Sequence, residues 1–277
     1  MKFDCVEQIG QTLVQHGPNN NRVYLMKLHP EDHPQMTRHL VELAEQNQYS
    51  KIFAKIPDWA LPSFSENGFE VEASVPNLFN GEEDGHFIAR FMNTERKHLA
   101  EKKVIRDVIK TAEDAEVNKD ILSENSYEIR LLGKEDVNGL IALYQEVFEV
   151  YPFPVFDPEY VKESMDEGMQ YFGVVENGQL LATSSAEINF KQAHAEMTDF
   201  ATRPEARGNN LSLFLLQKME EAMKAQGIKT LFTIARATSY GINKTFGRLN
   251  YHFAGTLTNN TLIGKSIESM NVWFKHV

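Results

Sequence analysis

The segment running from Thr198 to Gln217, Thr-Asp-Phe-Ala-Thr-Arg-Pro-Glu-Ala-Arg-Gly-Asn-Asn-Leu-Ser-Leu-Phe-Leu-Leu-Gln, most constrains the fold of this chain. It reads as a strand, a short polar loop at Arg207-Gly208-Asn209-Asn210, and an amphipathic helix. A loop of small residues that opens a helix aims several unpaired backbone N–H groups in one direction. The helix dipole adds partial positive charge at the same point, which makes a cradle for a pyrophosphate. Arg207 can add a bidentate contact to phosphate oxygens.

Elements recur on both sides of this segment. Strands are expected at Tyr127–Leu132, Tyr171–Glu176, Gln179–Asn189, Ala193–Thr202, Thr230–Ala235, Tyr251–Leu257 and Met270–Lys275. Asn177-Gly178 marks a two-residue hairpin between the second and third of these. Helices are expected at Lys134–Phe148, Glu159–Met165, Leu211–Ala225 and Tyr240–Leu249, with prolines 152, 154 and 158 breaking the first from the second and Gly227 closing the third.

A weaker echo of the C-terminal half precedes this unit. Phe64-Ser-Glu-Asn-Gly-Phe69 parallels Phe246-Gly-Arg-Leu-Asn-Tyr251 at an offset of 182 (246 − 64), and the same offset carries Phe91 onto Trp273. A helix at Met36–Gln46 followed by a strand at Ile52–Ile56 parallels Leu213–Ala225 followed by Leu231–Ala235. The loop at the corresponding point of the first copy, His-Pro-Glu-Asp-His-Pro-Gln (29–35), carries two prolines and no Arg-Gly pair, so it cannot offer the same row of N–H groups. Residues 93–125 are charge-dense and free of Gly and Pro. Leu99, Val104, Val108 and Ala112 recur there as the inner face of a connecting helix. The expected organisation is a first lobe at 1–92, a helical connector at 93–125, and a second lobe at 126–277.

Composition limits the function classes. The 277-residue chain is 42% hydrophobic and 24% charged, which is ordinary for a soluble globular protein. Its formal net charge of −11 argues against a nucleic-acid partner and is compatible with a cationic small substrate. No apolar run reaches the ~20 residues of a membrane helix. The first residues have no signal-peptide core, and a single cysteine fits a reducing compartment, so the expected location is the cytoplasm. The spacing of His29 and His33 suits a helical metal site, but Pro30 and Pro34 break the helix it would need.

The element order and the cradle together resemble the GCN5-related N-acetyltransferase (GNAT) superfamily, whose cofactor motif is Arg/Gln-x-x-Gly-x-Gly/Ala. Arg207, Gly208, Asn209, Asn210, Leu211 and Ser212 occupy that motif, with Asn210 in place of a glycine and Ser212 in place of the last Gly/Ala. Asn tolerates left-handed φ better than most residues, and Ser is small. The segments Glu196–Thr202, Ile234–Asn243, Gly255–Thr261, Glu268–Trp273, Trp59–Phe69 and Phe79–Asp84 are similar to the β-lysine N-acetyltransferases, over nearly the whole chain. The resemblance implies an α/β (α+β) GNAT fold, a mixed central sheet with flanking helices, preceded by a smaller GNAT-like half-domain lacking the cofactor loop. It implies transfer of acetyl from acetyl-CoA to the ε-amino group of β-lysine, giving a compatible solute, usually downstream of a lysine 2,3-aminomutase. Lysine, a polyamine or another diamine as acceptor, and a non-catalytic acyl-CoA sensor, are the competing readings.

The resemblance also implies site residues. The backbone of Phe200, Ala201 and Thr202 would meet the pantetheine arm, with the Thr202 N–H on the thioester carbonyl. Arg207 to Ser212 would carry the pyrophosphate, and Asn243 on the following helix could bond the pantetheine. Glu196 and Asp199 are the candidate bases; Asp199 has the opposite strand parity unless a bulge intervenes. The family's tyrosine acid falls at Phe246, which has no proton to give, so Tyr240 or Tyr251 could substitute. Glu149 and Tyr151 are candidates for the acceptor amine and Arg236 for its carboxylate. The expected partner is a small cationic amine, with no nucleic acid and no membrane, and a homodimer is left open.

Overall fold

The computed structural model describes residues 4–116 and 127–277; part of the expected connector, 117–125, lies outside them. Three strands open the chain, β1 (Cys5–Ile9), β2 (Thr12–Gly17) and β3 (Arg22–Lys27), followed by α1 (Gln35–Gln46), β4 (Lys51–Pro57), α2 (Leu61–Glu66), β5 (Glu70–Phe79) and β6 (Glu83–Phe91). Two helices, α3 (Thr94–Lys97) and α4 (Lys102–Glu113), come next. The second lobe comprises β7 (Glu128–Leu131), α5 (Val137–Val147), α6 (Pro158–Asp166), β8 (Gln170–Glu176), β9 (Gln179–Asn189), β10 (His194–Thr202), α7 (Leu211–Ala225), β11 (Thr230–Arg236), α8 (Tyr240–Arg248), β12 (His252–Ile263) and β13 (Ser266–His276).

The thirteen strands of the described residues join one sheet, in the order β1-β2-β3-β4-β6-β5-β12-β13-β11-β10-β9-β8-β7. Read outward from the β5–β12 seam, the two halves repeat one pattern. β5, β6, β4, β3, β2 and β1 match β12, β13, β11, β10, β9 and β8, with a parallel β3–β4 pair answering a parallel β10–β11 pair. The register carries the offset seen in the sequence: Lys51 faces Phe91, and 182 positions later Thr233 faces Trp273. The seam itself pairs Ala73 with Gly255, again 182 apart.

Alternation along the strands builds separate cores. Met36, Leu40 and Ala44 of α1 pack with Ile52, Ile56, Phe64 and Ile88 in the first lobe. Phe214, Leu215, Met219 and Met223 of α7 pack with Ala195, Met197, Leu231 and Trp273 in the second. A third cluster bridges the lobes: Tyr24, Phe53 and Phe87 meet Phe232, Met270 and Val272. The hairpin glycine and asparagine behave as their turn requires, with Asn177 at φ 51° and Gly178 at φ 78°.

Two expectations need correction. The inner face of α4 is Ile105, Val108 and Ala112, whereas Val104 is exposed. Spacings of three and four fit a 3.6-residue turn better than the four and five read from sequence. The helix is also more than a connector: a methyl group on Gly247 of α8 would fall 1.9 Å from the Ala112 carbonyl, so α4 is packed backbone-close on the second lobe. The last two strands extend well beyond Tyr251–Leu257 and Met270–Lys275. The polar run Thr258-Asn-Asn-Thr261 looks like a turn, yet it continues β12 as a bulge. Buried cations of the first lobe and of α3 satisfy its carbonyls: Lys51 Nζ donates to Thr258 O (2.7 Å), Arg96 Nε to Asn259 O (2.7 Å) and Arg22 Nη1 to Asn260 O (2.6 Å). Burial lowers the Lys51 ammonium to about 8, with Glu72 at 2.7 Å pulling the other way. No helix among the described residues is long and apolar enough to cross a membrane.

Candidate active site

β10 and β11 pair only at His194–Thr230, Ala195–Leu231 and Glu196–Phe232. Beyond that point β11 continues to Arg236 and β10 to Thr202, and the two part. The parting leaves one edge of β10 without a ladder partner. Arg203 N–H donates to Leu181 O of β9 (2.9 Å), so the preceding Thr202 N–H turns to the opposite edge, into the split.

A cavity of about 500 Å³ sits at the mouth of this split. Phe200, Thr202, Arg207, Gly208, Asn210, Leu211 and Ser212 line it. Gly208 has φ +86° and Asn210 φ 57°, so both motif positions adopt the left-handed backbone. The first amides bonded inside α7 are those of Leu213 and Phe214, both to Asn210 O. The N–H groups of Gly208 to Ser212 therefore have no acceptor among the described residues and face outward with the dipole of a fifteen-residue helix behind them. Side chains the sequence reading missed complete the wall: Lys244, Thr245 and Arg248 of α8, with Arg248 Nη1 on Asn210 Oδ1 at 2.8 Å. Their signal was present, since Lys244 and Arg248 stand one helical turn apart. Bare amides and three cations fit a pyrophosphate carrier.

The opposite face of the split is acidic and aromatic. Glu196 stands directly across from Glu187 of β9. The bulge anticipated in β10 lies between Thr198 and Ala201, with Asp199 at φ 55°. It restores Asp199 to the face of Glu196, where the Asp199 carboxylate accepts hydrogen bonds from Tyr151 Oη and from Ser185 Oγ (2.5 Å). Burial raises the Asp199 carboxyl, and those two hydroxyls oppose it. Burial likewise pushes Glu196 up to about 8; Glu187 adds to the rise while Lys55 of β4 opposes it. Tyr151 is held well above the usual phenol range by burial and then by Asp199.

Several expected residues lie elsewhere. Asn243 is wholly buried, and its amide is fully used: Nδ2 donates to Arg236 O (2.9 Å) and Ser239 O (2.7 Å), while Oδ1 accepts from Asn271 (2.9 Å) and Trp273 Nε1 (2.8 Å). It braces the turn into α8 and has nothing left for a ligand. Arg236 is clamped by Glu268 through two bonds of 2.8 and 2.7 Å, and Glu149 reaches out to Lys265 (3.2 Å) on the β12–β13 turn. Asn209 turns its side-chain amide to Ala206 O (3.1 Å), and the Ala201 side chain belongs to the core under α5. Tyr240 is exposed between the lining residues Ser239 and Gly241 and does not itself line the cavity. Tyr251 is buried against Phe246, with Lys275 Nζ 5.7 Å from its ring, and Phe246 fills the space beside Phe200.

Residues 138–245 match the Acetyltransferase (GNAT) family. Over 99% of its length and 99% of the relative's, the chain is 34% identical to the β-lysine N(6)-acetyltransferase of Methanococcus maripaludis. It is 30% identical to the N-acetyltransferase YodP of Bacillus subtilis over 86% of each chain. The crystal structure of an N-acetyltransferase from Staphylococcus aureus Mu50 aligns with 55% of the chain and 99% of its own, at 22% identity and a TM-score of 0.48. With its split sheet and its cradle, the chain belongs to the GNAT family of acetyl-CoA-dependent N-acetyltransferases.

Proposed function

We propose that the protein transfers the acetyl group of acetyl-CoA to the ε-amino group of β-lysine, giving Nε-acetyl-β-lysine as a compatible solute. The observation that carries this reading is the acidic face opposite the cradle, where Glu187, Glu196 and Asp199 converge on one side of the sheet. Three carboxylates suit an acceptor with two ammonium groups, and the M. maripaludis relative, alike end to end, bears the name of that activity.

When bound, acetyl-CoA supplies a thioester carbonyl and a thiol leaving group. Arg207, Arg248 and the amides from Gly208 to Ser212 hold its pyrophosphate, and the free edge of β10 from Phe200 to Thr202 receives its pantetheine arm. The Thr202 N–H stabilises the oxygen that gains charge during attack. Glu196 accepts the ammonium proton. An ε-ammonium of pKa ~10.4 lies about six units above an ordinary glutamate but only about two above Glu196 in its half-buried site, which eases the transfer. Asp199, steadied by Tyr151 and Ser185, orients the amine. No tyrosine hydroxyl lines the cavity among the described residues, so the departing thiol takes its proton from solvent.

Thiol release from acetyl-CoA, measured with a panel of amines, tests the reading. Turnover should be highest with β-lysine. Turnover of a polyamine but not of β-lysine would reject the acceptor, and acetyl-CoA binding without thiol release on any amine would reject catalysis.

A further inference from the structure

We propose that Lys55, contributed by the first lobe, holds the carboxylate of the acceptor and makes the second lobe's active site selective for an amino acid over a plain diamine. This rests on the acidic face being the acceptor site, as argued above.

Lys55 lies on β4 between Ala54 and Ile56, whose side chains enter the first lobe's own core. Strand alternation therefore turns Lys55 the other way, onto the face of Phe53, which packs in the bridge between the lobes. Its Nζ sits 5.0 Å from the centre of the Phe232 ring. Phe232 is the direct β11 partner of Glu196. The ammonium is thus delivered across the lobe boundary to the last rung before the sheet splits. Two β10 residues feel it there: it opposes the rise of Glu196, and after burial it is the second cause that drives His194 down to about 2. His194 is therefore neutral, and Lys55 brings positive charge to the rung of Glu196.

Lys55 is half-buried, and among the described residues no carboxylate lies within 4.0 Å of its Nζ. The other cation considered for the substrate carboxylate, Arg236, is already engaged by Glu268. A partly desolvated ammonium seated on an aromatic face, with donors unspent, is prepared for an anion. β-Lysine supplies one beside its two amines. Carboxylates on β9 and β10 facing Lys55, the β4 lysine not already engaged as Lys51 is by Glu72, match that charge pattern, whereas a polyamine would meet Lys55 as a repulsive element.

The test compares β-lysine with β-lysine amide, in which the carboxylate becomes neutral. The wild-type protein should show a KM about tenfold to a hundredfold higher for the amide, the range expected for one charge-assisted contact. Lys55→Met, assayed above the pH limb of Glu196, should raise the KM for β-lysine to that of the amide, leave the amide's KM unchanged, and keep kcat within about threefold; Lys55→Arg should restore most of the difference. Equal KM values for β-lysine and its amide in the wild-type protein would overturn the proposal without any variant. So would a Lys55→Met defect confined to kcat and equal for both acceptors, since that is the signature of a perturbed Glu196 alone. Failure to acetylate β-lysine at all would overturn the acceptor reading and this proposal with it; acetylation with indifference to the carboxylate would overturn this proposal only.

Discussion

The two lobes share a strand order and a register but differ where β3 meets β4 and β10 meets β11. In the first lobe the parallel pair is zipped from Arg22–Lys51 to Leu25–Ala54. At the 182-residue offset, Lys51–Ala54 corresponds to Thr233–Arg236, which is the stretch over which the second lobe has come apart. The first lobe is thus closed along the line where the second is open. Its strand–helix loop follows suit. Pro30 and Pro34 flank a turn whose Asp32 carboxylate is bound by Gln11 N (2.8 Å) and Thr12 Oγ1 (2.6 Å), so the chain's own acid occupies the loop. In the second lobe the corresponding loop shows bare amides and arginines. One fold therefore yields either a ligand slot or a packed wall, and the choice rests on how far one parallel pair of strands stays zipped. The closed lobe then presents Lys55 and Tyr24 toward the open one.

The strongest way to break this contrast is to give the second lobe the first lobe's proline. Asn210→Pro replaces a left-handed residue at φ 57° by one fixed near −65°. Acetyl-CoA affinity should fall at least a thousandfold by calorimetry with the circular dichroism of the fold retained, whereas Pro34→Gly in the first lobe should change affinity less than twofold. Next in size is the proposed base. Glu196→Gln should lower kcat about 10²- to 10³-fold, a typical loss for general-base removal. The pH profile sharpens the assignment. A base acts as its carboxylate, so under the proposed role a group raised to about 8 should give a kcat/KM that climbs as pH rises through about 8. Glu187→Gln removes a negative neighbour and should move that limb to lower pH; a limb that stays put would separate Glu187 from the base. A third change addresses the seam between the lobes. Gly255 has φ +150°, and a methyl group there would lie 2.1 Å from Glu72 O. Gly255→Ala should cost about 2–4 kcal/mol in urea unfolding, where Ala73→Gly at its pseudo-equivalent should cost about 1.

Much of this was legible in the sequence, and the remainder has a physical reason for being hidden. The cradle, the α7 boundaries and the Asn177-Gly178 hairpin are local, set by backbone preferences within a few residues, whereas the β10 bulge entered only as the condition on which Asp199 would share the face of Glu196. The repeat was legible because Phe64–Phe69 and Phe246–Tyr251 keep edge-to-face geometry in both lobes, at 5.1 and 4.9 Å. Side-chain commitments over long separations were not. Asn243 looked free until Trp273 and Asn271 claimed it, and Arg236 until Glu268 did. The strand character of Thr258–Thr261 depends on Lys51 and Arg22, more than 200 positions away. Lys55 and Glu187 reach the site by lobe packing and hairpin register, which no window on the chain displays.

The smallest expected effect separates the two aromatic pairs. Phe69 and Tyr251 differ by one hydroxyl at matching positions, and that hydroxyl was a candidate proton donor. Tyr251 is buried under Phe246, away from the residues lining the cavity, and its phenol is held well above the usual range by burial and then by Glu220. A group so reluctant to lose its proton, and absent from the cavity wall that Thr202 lines, has no route to the departing sulfur. Tyr251→Phe should therefore leave kcat within twofold at every pH and shift stability by less than about 1 kcal/mol, because it converts the second lobe's pair into the first lobe's own. A tenfold fall in kcat with KM unchanged would reverse this, making Tyr251 the acid and turning the difference between the two pairs from packing into chemistry.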